Sequence, residues 1–348
     1  MSNNDIFRTQ IILSNPYKLI EKDLLVYALS TEVNVGRKFP FRQIRPLRVL
    51  LRILKYWASL YGFKKLSRGE HSYLKATTQN GKIFRIRNTN AQFGSIYSKT
   101  PRHIYEPDVS ASIKLFLPEG GVFVDIGSNW GHHSINTVLT KNAHAILFEP
   151  NPLVADDVQR IINDLGLKNS LEIYNIGLSD RNGKFELIQN FFESGVASIN
   201  PEFSNQISSN EKLLTYLFRK MNYTPLRYLV DVRPLDSFLL DRVDLIKIDA
   251  EGVELEILCG GKNLINRTKP GVIFEFHSGD ISKFQAYRDF FGKLDYEIYL
   301  INCTKENREK NIFDFRLTRF DDLTLHTQYN LIALPKNYKF SLPQVLNY

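Results

Sequence analysis

The chain has 348 residues, of which 43% are hydrophobic and 24% are charged, with 19 glycines and 14 prolines. This composition is typical of a folded globular protein and excludes disorder, collagen-like repeats and low complexity for most of the chain. Two cysteines, Cys259 and Cys303, are too few for a disulfide framework. The first residues lack the apolar core of a signal peptide, and no stretch reaches about 18 uninterrupted apolar residues. We therefore expect a soluble protein of the cytoplasm.

The positive charge is concentrated in the first third of the chain. Residues 1–110 contain 19 Lys and Arg against 7 Asp and Glu, whereas residues 111–348 contain 26 against 30. The net charge of +8 therefore comes from the first region alone. Such an asymmetry predicts two regions with different partners, although a solvated basic face explains it equally well.

The first region is predicted to be helical. We assign residues 1–70 to a basic helical N-terminal region, with helix expected over residues 16–66, because leucines from Leu47 to Leu54 recur at helical spacing. Residues 71–110 are predicted to form a β-hairpin and a linker. Asn80-Gly81, between two β-rich runs, is a strong signal for the hairpin turn.

The segment 37–68 contains ten basic residues and no acidic residue. Its apolar positions keep helical spacing, as in an amphipathic helix that lies at a membrane surface. This pattern predicts peripheral contact with an anionic membrane at the inner bilayer face. The alternative is a helix whose apolar stripe packs on the following domain.

From Gly121 onward, short apolar runs alternate with segments of helical length. The runs are VFVDIG, HAILFEP, LEIYNIG, DLIKIDA and GVIFEFH, followed by the closing runs YEIYLIN and NLIALP. Near-continuous apolar strands that alternate with helices predict an α/β fold with a parallel sheet covered on both faces. We assign residues 111–340 to this domain, with a polar, irregular insertion at about 190–230.

The first of these strands ends in a glycine-containing turn. Asp125, Gly127, Asn129 and Gly131 are spaced two residues apart, and Asn129 stands where a dinucleotide-binding turn has its second glycine. This departure disfavours a pyrophosphate and a nicotinamide-dependent oxidoreductase, and suits a smaller cofactor over the strand end. A tight strand-to-helix turn without a ligand is the alternative.

Acidic residues also follow the next two strands. Glu149 lies 18 residues beyond Gly131, near the position at which a carboxylate binds a ribose diol, and Asp180 follows the third strand. Either acid taken singly is explained by a polar strand end or turn. Three acids at successive strand ends together predict a nucleoside site at the carboxyl edge of the sheet.

The fourth and fifth strands carry a second group of polar residues. Asp249 and Glu251 end the fourth, and Glu275 and His277 share one face of the fifth. This group predicts either a general base for a substrate hydroxyl or a site for a divalent metal. The alternative is that Glu251 caps the following helix and His277 is a polar strand end.

Taken together, these motifs resemble the FkbM family of S-adenosylmethionine-dependent methyltransferases. The resemblance rests on VFVDIGSNWG, FEPNP, NIGLSD, RPLDSFL, VDLIKIDAEGVELEILCGG and PGVIFEFH in this order, and it covers about two thirds of the chain. It implies a class I methyltransferase fold, in which a seven-stranded, mostly parallel sheet has a final antiparallel strand. It also implies O-methylation of a hydroxyl, on a sugar, glycan or related natural product.

The resemblance also assigns roles to residues. Asp125, Gly127, Asn129 and Gly131 match the loop at the methionine end of S-adenosylmethionine, Glu149 matches the ribose-binding acid, Asp180 falls at the adenine side, and Asp249 and Glu251 match the D-x-E-G signature. Trp130, the pair His132-His133 and the insertion at about 190–230 depart from the family pattern, and these departures concern the acceptor more than the cofactor. We expect a small-molecule or glycan acceptor.

Two other functions fit parts of the sequence. An RNA methyltransferase would use the basic first third to bind phosphates, although the acidic balance after residue 110 and the lack of a recognisable RNA-binding module disfavour nucleic acid. A non-catalytic cofactor-binding protein would have lost the acids at the strand ends, and this sequence keeps them.

Overall fold

A computed structural model gives the fold of most of the chain. It describes residues 5–19, 73–87, 90, 92–93, 104–189, 197–198, 226–250, 252–277, 281–307, 310–320 and 328–339. The predicted helix and membrane contact of residues 37–68 lie outside this part and stay predictions. None of the helices in the described ranges is both long enough and apolar enough to cross a membrane.

From residue 107 onward the described elements are strands and helices, with runs of consecutive strands at 171–233 and 296–335. The strands are β1 (Asp5–Ile12), β2 (Tyr17–Leu19), β3 (Tyr73–Thr78), β4 (Ile83–Arg87), β5 (Val122–Ile126), β6 (His144–Phe148), β7 (Leu171–Tyr174), β8 (Gly177–Leu178), β9 (Gly183–Gln189), β10 (Ala197–Ser198), β11 (Leu226–Arg233), β12 (Leu245–Ile248), β13 (Gly271–His277), β14 (Tyr296–Asn307), β15 (Ile312–Arg319) and β16 (Gln328–Pro335). The helices are α1 (Pro107–Phe116), α2 (His132–Lys141), α3 (Pro152–Leu165), α4 (Glu254–Gly260), α5 (Lys262–Thr268) and α6 (Ile281–Gly292).

The main sheet confirms the predicted class I methyltransferase architecture. Its strand order is β1-β15-β14-β16-β13-β12-β5-β6-β7. Strands β7, β6, β5, β12 and β13 are parallel neighbours, and β16 runs antiparallel between β13 and β14. The seven strands from β7 to β14 are therefore those that the resemblance implies. β15 and β1 extend the sheet to nine strands at the edge beyond β14.

Both faces of the central strands are buried, as their near-continuous apolar sequences predict. Phe123, Leu245 and Ile273 belong to the hydrophobic core on one face of the sheet, and Val124 and Ile246 belong to the core on the other. Because side chains alternate between faces, the polar residues Asp125, Lys247, Asp249 and Glu275 continue the first of these faces toward the carboxyl ends of their strands.

The helical prediction for residues 1–70 is wrong for the part that the structure describes. β1 pairs with β15, and β2 pairs with β3. In β1, Phe7 and Ile11 are buried and Ile6 is exposed, which is the two-residue alternation of a strand at a sheet edge. The Arg8 guanidinium donates to both carboxylate oxygens of Asp314 on β15, at 2.8 and 3.1 Å, and this pairing fixes the strand on the sheet.

The predicted hairpin around Asn80-Gly81 is confirmed as β3 and β4. With β2 it forms a three-stranded sheet that lies against α3. The Arg85 guanidinium donates to both carboxylate oxygens of Asp164 at 3.0 and 2.6 Å, and the backbone amide of Arg87 lies 3.4 Å from the buried Asp157 carboxylate. The hairpin is therefore attached to the helix that follows β6.

The region predicted as an irregular insertion at 190–230 contains ordered strands at its ends. β10 and β11 both pair antiparallel with β9, and β11 also pairs with β8. The prediction is therefore wrong for residues 197–198 and 226–230. Val230 and Val232 alternate inward in β11, a short strand pattern that the surrounding polar sequence obscured. Residues 190–196 and 199–225 lie outside the described residues.

A comparison of two glycine substitutions tests the close approach of β5 to β12. Gly127 and Gly166 have φ values of +68° and +70°, which cost about 1–2 kcal/mol for other residues. A Cβ at Gly127 would also overlap the carbonyl oxygen of Asp249, whereas nothing lies within 4 Å of one at Gly166. We expect Gly166→Ala to lower the free energy of unfolding by about 1–2 kcal/mol and Gly127→Ala to lower it by more, measured by urea denaturation. Equal losses would contradict the contact with Asp249.

Candidate cofactor and acceptor site

The turn after β5, residues Gly127–Gly131, is a left-handed loop that we call the glycine loop. Gly127, Asn129 and Gly131 have φ values of 68°, 48° and 80°. The amides of Gly127 and Ser128 donate to the carbonyl of Phe148 on β6, at 3.0 and 3.3 Å. The loop is therefore bonded to the neighbouring strand.

Asp125 lies beneath this loop and is 1% exposed. Its Oδ2 accepts a hydrogen bond of 2.6 Å from the Ser134 hydroxyl on α2. Its Oδ1 accepts no hydrogen bond from the residues that the structure describes, although Lys247 Nζ lies 3.8 Å away. One oxygen of a buried carboxylate is thus available for a further donor.

Lys247 connects Asp125 to Asp249, and sequence reasoning missed it. Lys247 lies directly opposite Asp125 in the β5–β12 register. Its ammonium donates to Asp249 Oδ2 at 3.0 Å. Burial alone would lower the pKa of this buried lysine, but the carboxylates of Asp249 and Asp125 outweigh burial and raise it. Lys247 is therefore charged, and its two-residue spacing before Asp249 is the signal that could have revealed it.

Glu149 follows β6 and is 8% exposed. Its Oε2 accepts from the Asn129 amide at 2.9 Å and its Oε1 from the Asn151 amide at 2.8 Å. Burial raises the pKa of Glu149 to about 7, although the two backbone hydrogen bonds lower it. The predicted ribose-binding acid thus contacts the glycine loop that is predicted to bind the same cofactor.

The third predicted acid, Asp180, is farther along the chain than the end of the third strand. β7 is followed by Asn175, which donates to the carbonyl oxygens of Glu149 and Pro150 at 2.8 and 3.0 Å. Asp180 comes after β8, where its side chain is 44% exposed and accepts from the Ser179 hydroxyl. Asn175 therefore lies beside Glu149, and no hydrogen bond or ion pair found between described residues joins Asp180 to it.

Sequence reasoning also missed a group formed by Tyr105 and Glu106, which precede α1, and His133 of α2. His133 Nε2 and Glu106 Oε2 are 2.8 Å apart, and the Tyr105 ring stacks on His133. Burial, together with nearby Lys247, lowers the pKa of His133 to about 3, so the ring is neutral. In the neutral ring, Nε2 therefore donates to the Glu106 carboxylate. A separation of 27 residues hid this pair from sequence reasoning.

Two of the predicted catalytic acids contribute to the electrostatic surroundings of Tyr105. The pKa of Tyr105 is raised by burial first and by the Glu106 carboxylate next, with smaller contributions from Asp249 and Glu275. Glu275 is half-buried within β13, one position beyond the paired residues of β12 and β13, which places it level with Asp249. Tyr105, Glu106, Asp249 and Glu275 thus lie close enough to interact electrostatically.

Two of the predicted catalytic residues stay predictions. Glu251 lies outside the described residues, and His277 is placed as the last residue of β13 without a described side chain. No group of three or more His, Cys, Asp or Glu side chains in the described ranges is arranged to hold a metal ion. The divalent metal considered from the sequence therefore has no support in this structure.

Comparisons with known proteins point to one family. Residues 125–298 match the family described as the methyltransferase FkbM domain. The 2-O-methyltransferase NoeI of Sinorhizobium fredii is 26% identical over 153 residues, which cover 42% of this chain and 60% of NoeI. This chain thus spans less than two thirds of the length of that curated relative.

Two solved structures of methyltransferases are similar to part of this chain. The methyltransferase FkbM from Methylobacillus flagellatus KT superposes with a TM-score of 0.39 and 15% identity, covering 66% of this chain and 53% of that one. TrmK of M. capricolum in complex with S-adenosyl-homocysteine has a TM-score of 0.34 and 14% identity, covering 70% and 74%. The family match spans half of the chain, from Asp125 beneath the glycine loop to β14, and the chain therefore belongs to the methyltransferase FkbM domain family.

Proposed function

We propose that this protein is an S-adenosylmethionine-dependent O-methyltransferase that acts on a hydroxyl of a sugar, a glycan or a related natural product. The observation that carries the proposal is the direct bond between the Glu149 carboxylate and the Asn129 amide of the glycine loop. It brings the predicted ribose acid and the predicted methionine-end loop to one place, with Asp125 beneath them. Family membership supports the same reaction.

The residues present fit the cofactor. The Oδ1 atom of Asp125 accepts no hydrogen bond from any described residue and suits a donor such as an amino group. The positive φ values of Gly127 and Gly131 give the loop its tight turn over the strand end, where Gly127 is part-exposed. Each oxygen of Glu149 accepts one backbone hydrogen bond and keeps a lone pair for a ribose hydroxyl. Asp180 stays a proposal for the adenine side.

The acceptor side is assigned to the acids of β12 and β13. The bound cofactor supplies an electrophilic methyl group, so the protein has to orient an acceptor hydroxyl and remove its proton. Asp249, with its side chain 32% exposed, and half-buried Glu275 would accept that hydroxyl hydrogen bond. Glu251 and His277 are proposed for the same role from the sequence.

Charge favours an acceptor without phosphate. Besides burial, the carboxylates of Glu106, Asp249 and Glu275 raise the pKa of Tyr105, while the Lys247 ammonium is bound by Asp249 and lies near Asp125. Carboxylates accept hydrogen bonds from sugar hydroxyls and repel phosphate groups. The relative NoeI, named a 2-O-methyltransferase, supports transfer to oxygen. A glycan therefore fits this site better than RNA does.

Two measurements test the proposed function. Calorimetry with S-adenosylhomocysteine measures cofactor binding, and transfer of a labelled methyl group to a panel of neutral glycans measures catalysis. We expect binding, and transfer to at least one glycan. Binding without transfer to glycans, together with transfer to RNA, would contradict the acceptor class; absence of binding would contradict the function itself.

The raised pKa of Glu149 predicts pH-dependent cofactor binding. With a pKa of about 7, Glu149 is ionised at pH 8 and mostly protonated at pH 6, where it is a poorer acceptor for a ribose hydroxyl. We expect S-adenosylhomocysteine to bind about tenfold more weakly at pH 6 than at pH 8. Because its pKa is raised on folding, Glu149 contributes less to folding stability as pH rises from about 4.5 to 7.

Two matched variants distinguish the contribution of Glu149 to the pH dependence of binding from that of other titrating groups. Glu149→Gln should bind the ligand more weakly at pH 8 and lose the dependence on pH. Glu172→Gln, which changes an exposed carboxylate on the adjacent strand β7, should keep the wild-type dependence. A Glu149→Gln protein that keeps the full pH dependence would show that another group is responsible.

Turnover tests the acceptor side. Glu275→Gln keeps the size of the side chain and removes its charge, so we expect it to lower kcat about a hundredfold or more, within the range of general base catalysis. Its affinity for S-adenosylhomocysteine should stay at the wild-type value. Glu256→Gln, an exposed change on α4, is the control and should leave both unchanged. An unaltered kcat in Glu275→Gln would exclude Glu275 from this role.

A further inference from the structure

Three charges lie on one face of β5 and β12, below the glycine loop. Asp125 and Lys247 face each other across the two strands, and Asp249 follows Lys247 on the same side. Lys247 Nζ is 3.0 Å from Asp249 Oδ2 and 3.8 Å from Asp125 Oδ1. With both acids ionised, the group carries one net negative charge.

The glycine loop touches this group directly. The backbone at Gly127 lies so close to the Asp249 carbonyl that no Cβ fits between them, and Ser134 of α2 bonds Asp125 from the other end of the loop. Asp125 is 1% exposed and Lys247 is 5% exposed, so water screens their charges weakly. Any ligand charge at this end of the loop therefore responds to all three groups.

We propose that Lys247 determines how strongly the site distinguishes the methyl donor from its product. This inference rests on the proposed function, in which the glycine loop holds the methionine end of the cofactor. S-adenosylmethionine carries a positive sulfonium, and S-adenosylhomocysteine carries a neutral thioether at the same atom. The positive charge of Lys247 balances the negative charge of one of the two carboxylates. It thereby limits how much more tightly the site binds the sulfonium than the neutral thioether.

This limit favours the reaction. The positive charge on sulfur disappears during methyl transfer, so a site that binds that charge strongly would stabilise the reactant more than the transition state. Asp125 and Asp249 without Lys247 would form such a site. Asp125 keeps its hydrogen bond to Ser134, and the charge of Lys247 limits the cost of the two carboxylates to turnover.

The ratio of two dissociation constants tests the proposal without any acceptor. The ratio of Kd for S-adenosylhomocysteine to Kd for S-adenosylmethionine isolates the sulfonium charge, because the two ligands share every other charged group. Lys247→Met removes a positive charge, and we expect the ratio to rise about tenfold. Asp249→Asn removes a negative charge and should lower the ratio about tenfold. Calorimetry at pH 8 measures both constants.

The double variant is the charge-matched control. Lys247→Met with Asp249→Asn restores one net negative charge, so its ratio should return to within about threefold of the wild type. Asp249→Asn also provides a second test if Lys247→Met fails to fold, since Asp249 is part-exposed.

The outcomes separate the two proposals. A ratio of dissociation constants that is higher in Lys247→Met than in the wild type, and lower in Asp249→Asn, supports the inference. Equal ratios in proteins that bind both ligands would overturn it while leaving the proposed function intact. A wild-type protein that binds neither ligand would overturn the proposed function, and this inference with it.

Discussion

The buried contact of Lys247 with Asp249 and Asp125 is the interaction on which the rest of the site depends. A buried ammonium is strongly unfavourable unless carboxylates surround it, so the β5–β12 register has to place Lys247 beside both acids. A shift of one residue would move Lys247 to the opposite face, beside Val124 and Ile126 of β5. The register that satisfies the charge also brings Gly127 against the Asp249 backbone. Electrostatics and strand pairing thus select the same arrangement.

The sequence predicted the central sheet well because its information is local. Each parallel strand is a short apolar run that ends in a polar residue, and burial on both faces requires such runs. The edge strands were harder to predict, because β1 is an alternating segment next to the chain start whose partner β15 lies about 300 residues away. Pairing over that distance leaves no spacing signal in the sequence.

Within the candidate site, the sequence likewise predicted the residues at strand ends and missed those whose partners lie on other elements. Asp125 lies near the end of a predicted strand and Glu149 follows one, so their positions could be inferred from strand ends alone. Lys247 interrupts an apolar run, and nothing within that run identifies Asp125 of another strand as its partner. The Glu106–His133 pair joins the segment before α1 to the first turn of α2, and only the packing of those helices brings it together. Asp180 was placed at the third strand end because β8, which carries the chain into a second sheet, is only two residues long.

The bond between Glu149 and the Asn129 amide makes the loop and the acid mutually dependent. Asn129 has φ 48°, a left-handed conformation that asparagine adopts more readily than most residues other than glycine. Its side chain bonds the Trp130 amide at 2.8 Å, and its own amide bonds Glu149 at 2.9 Å. Protonation of Glu149 weakens the second bond, so one proton changes both the ribose acceptor and the loop that covers Asp125. The two ends of the proposed cofactor site are therefore coupled through the backbone, and a change at Glu149 also reaches the charges around Lys247.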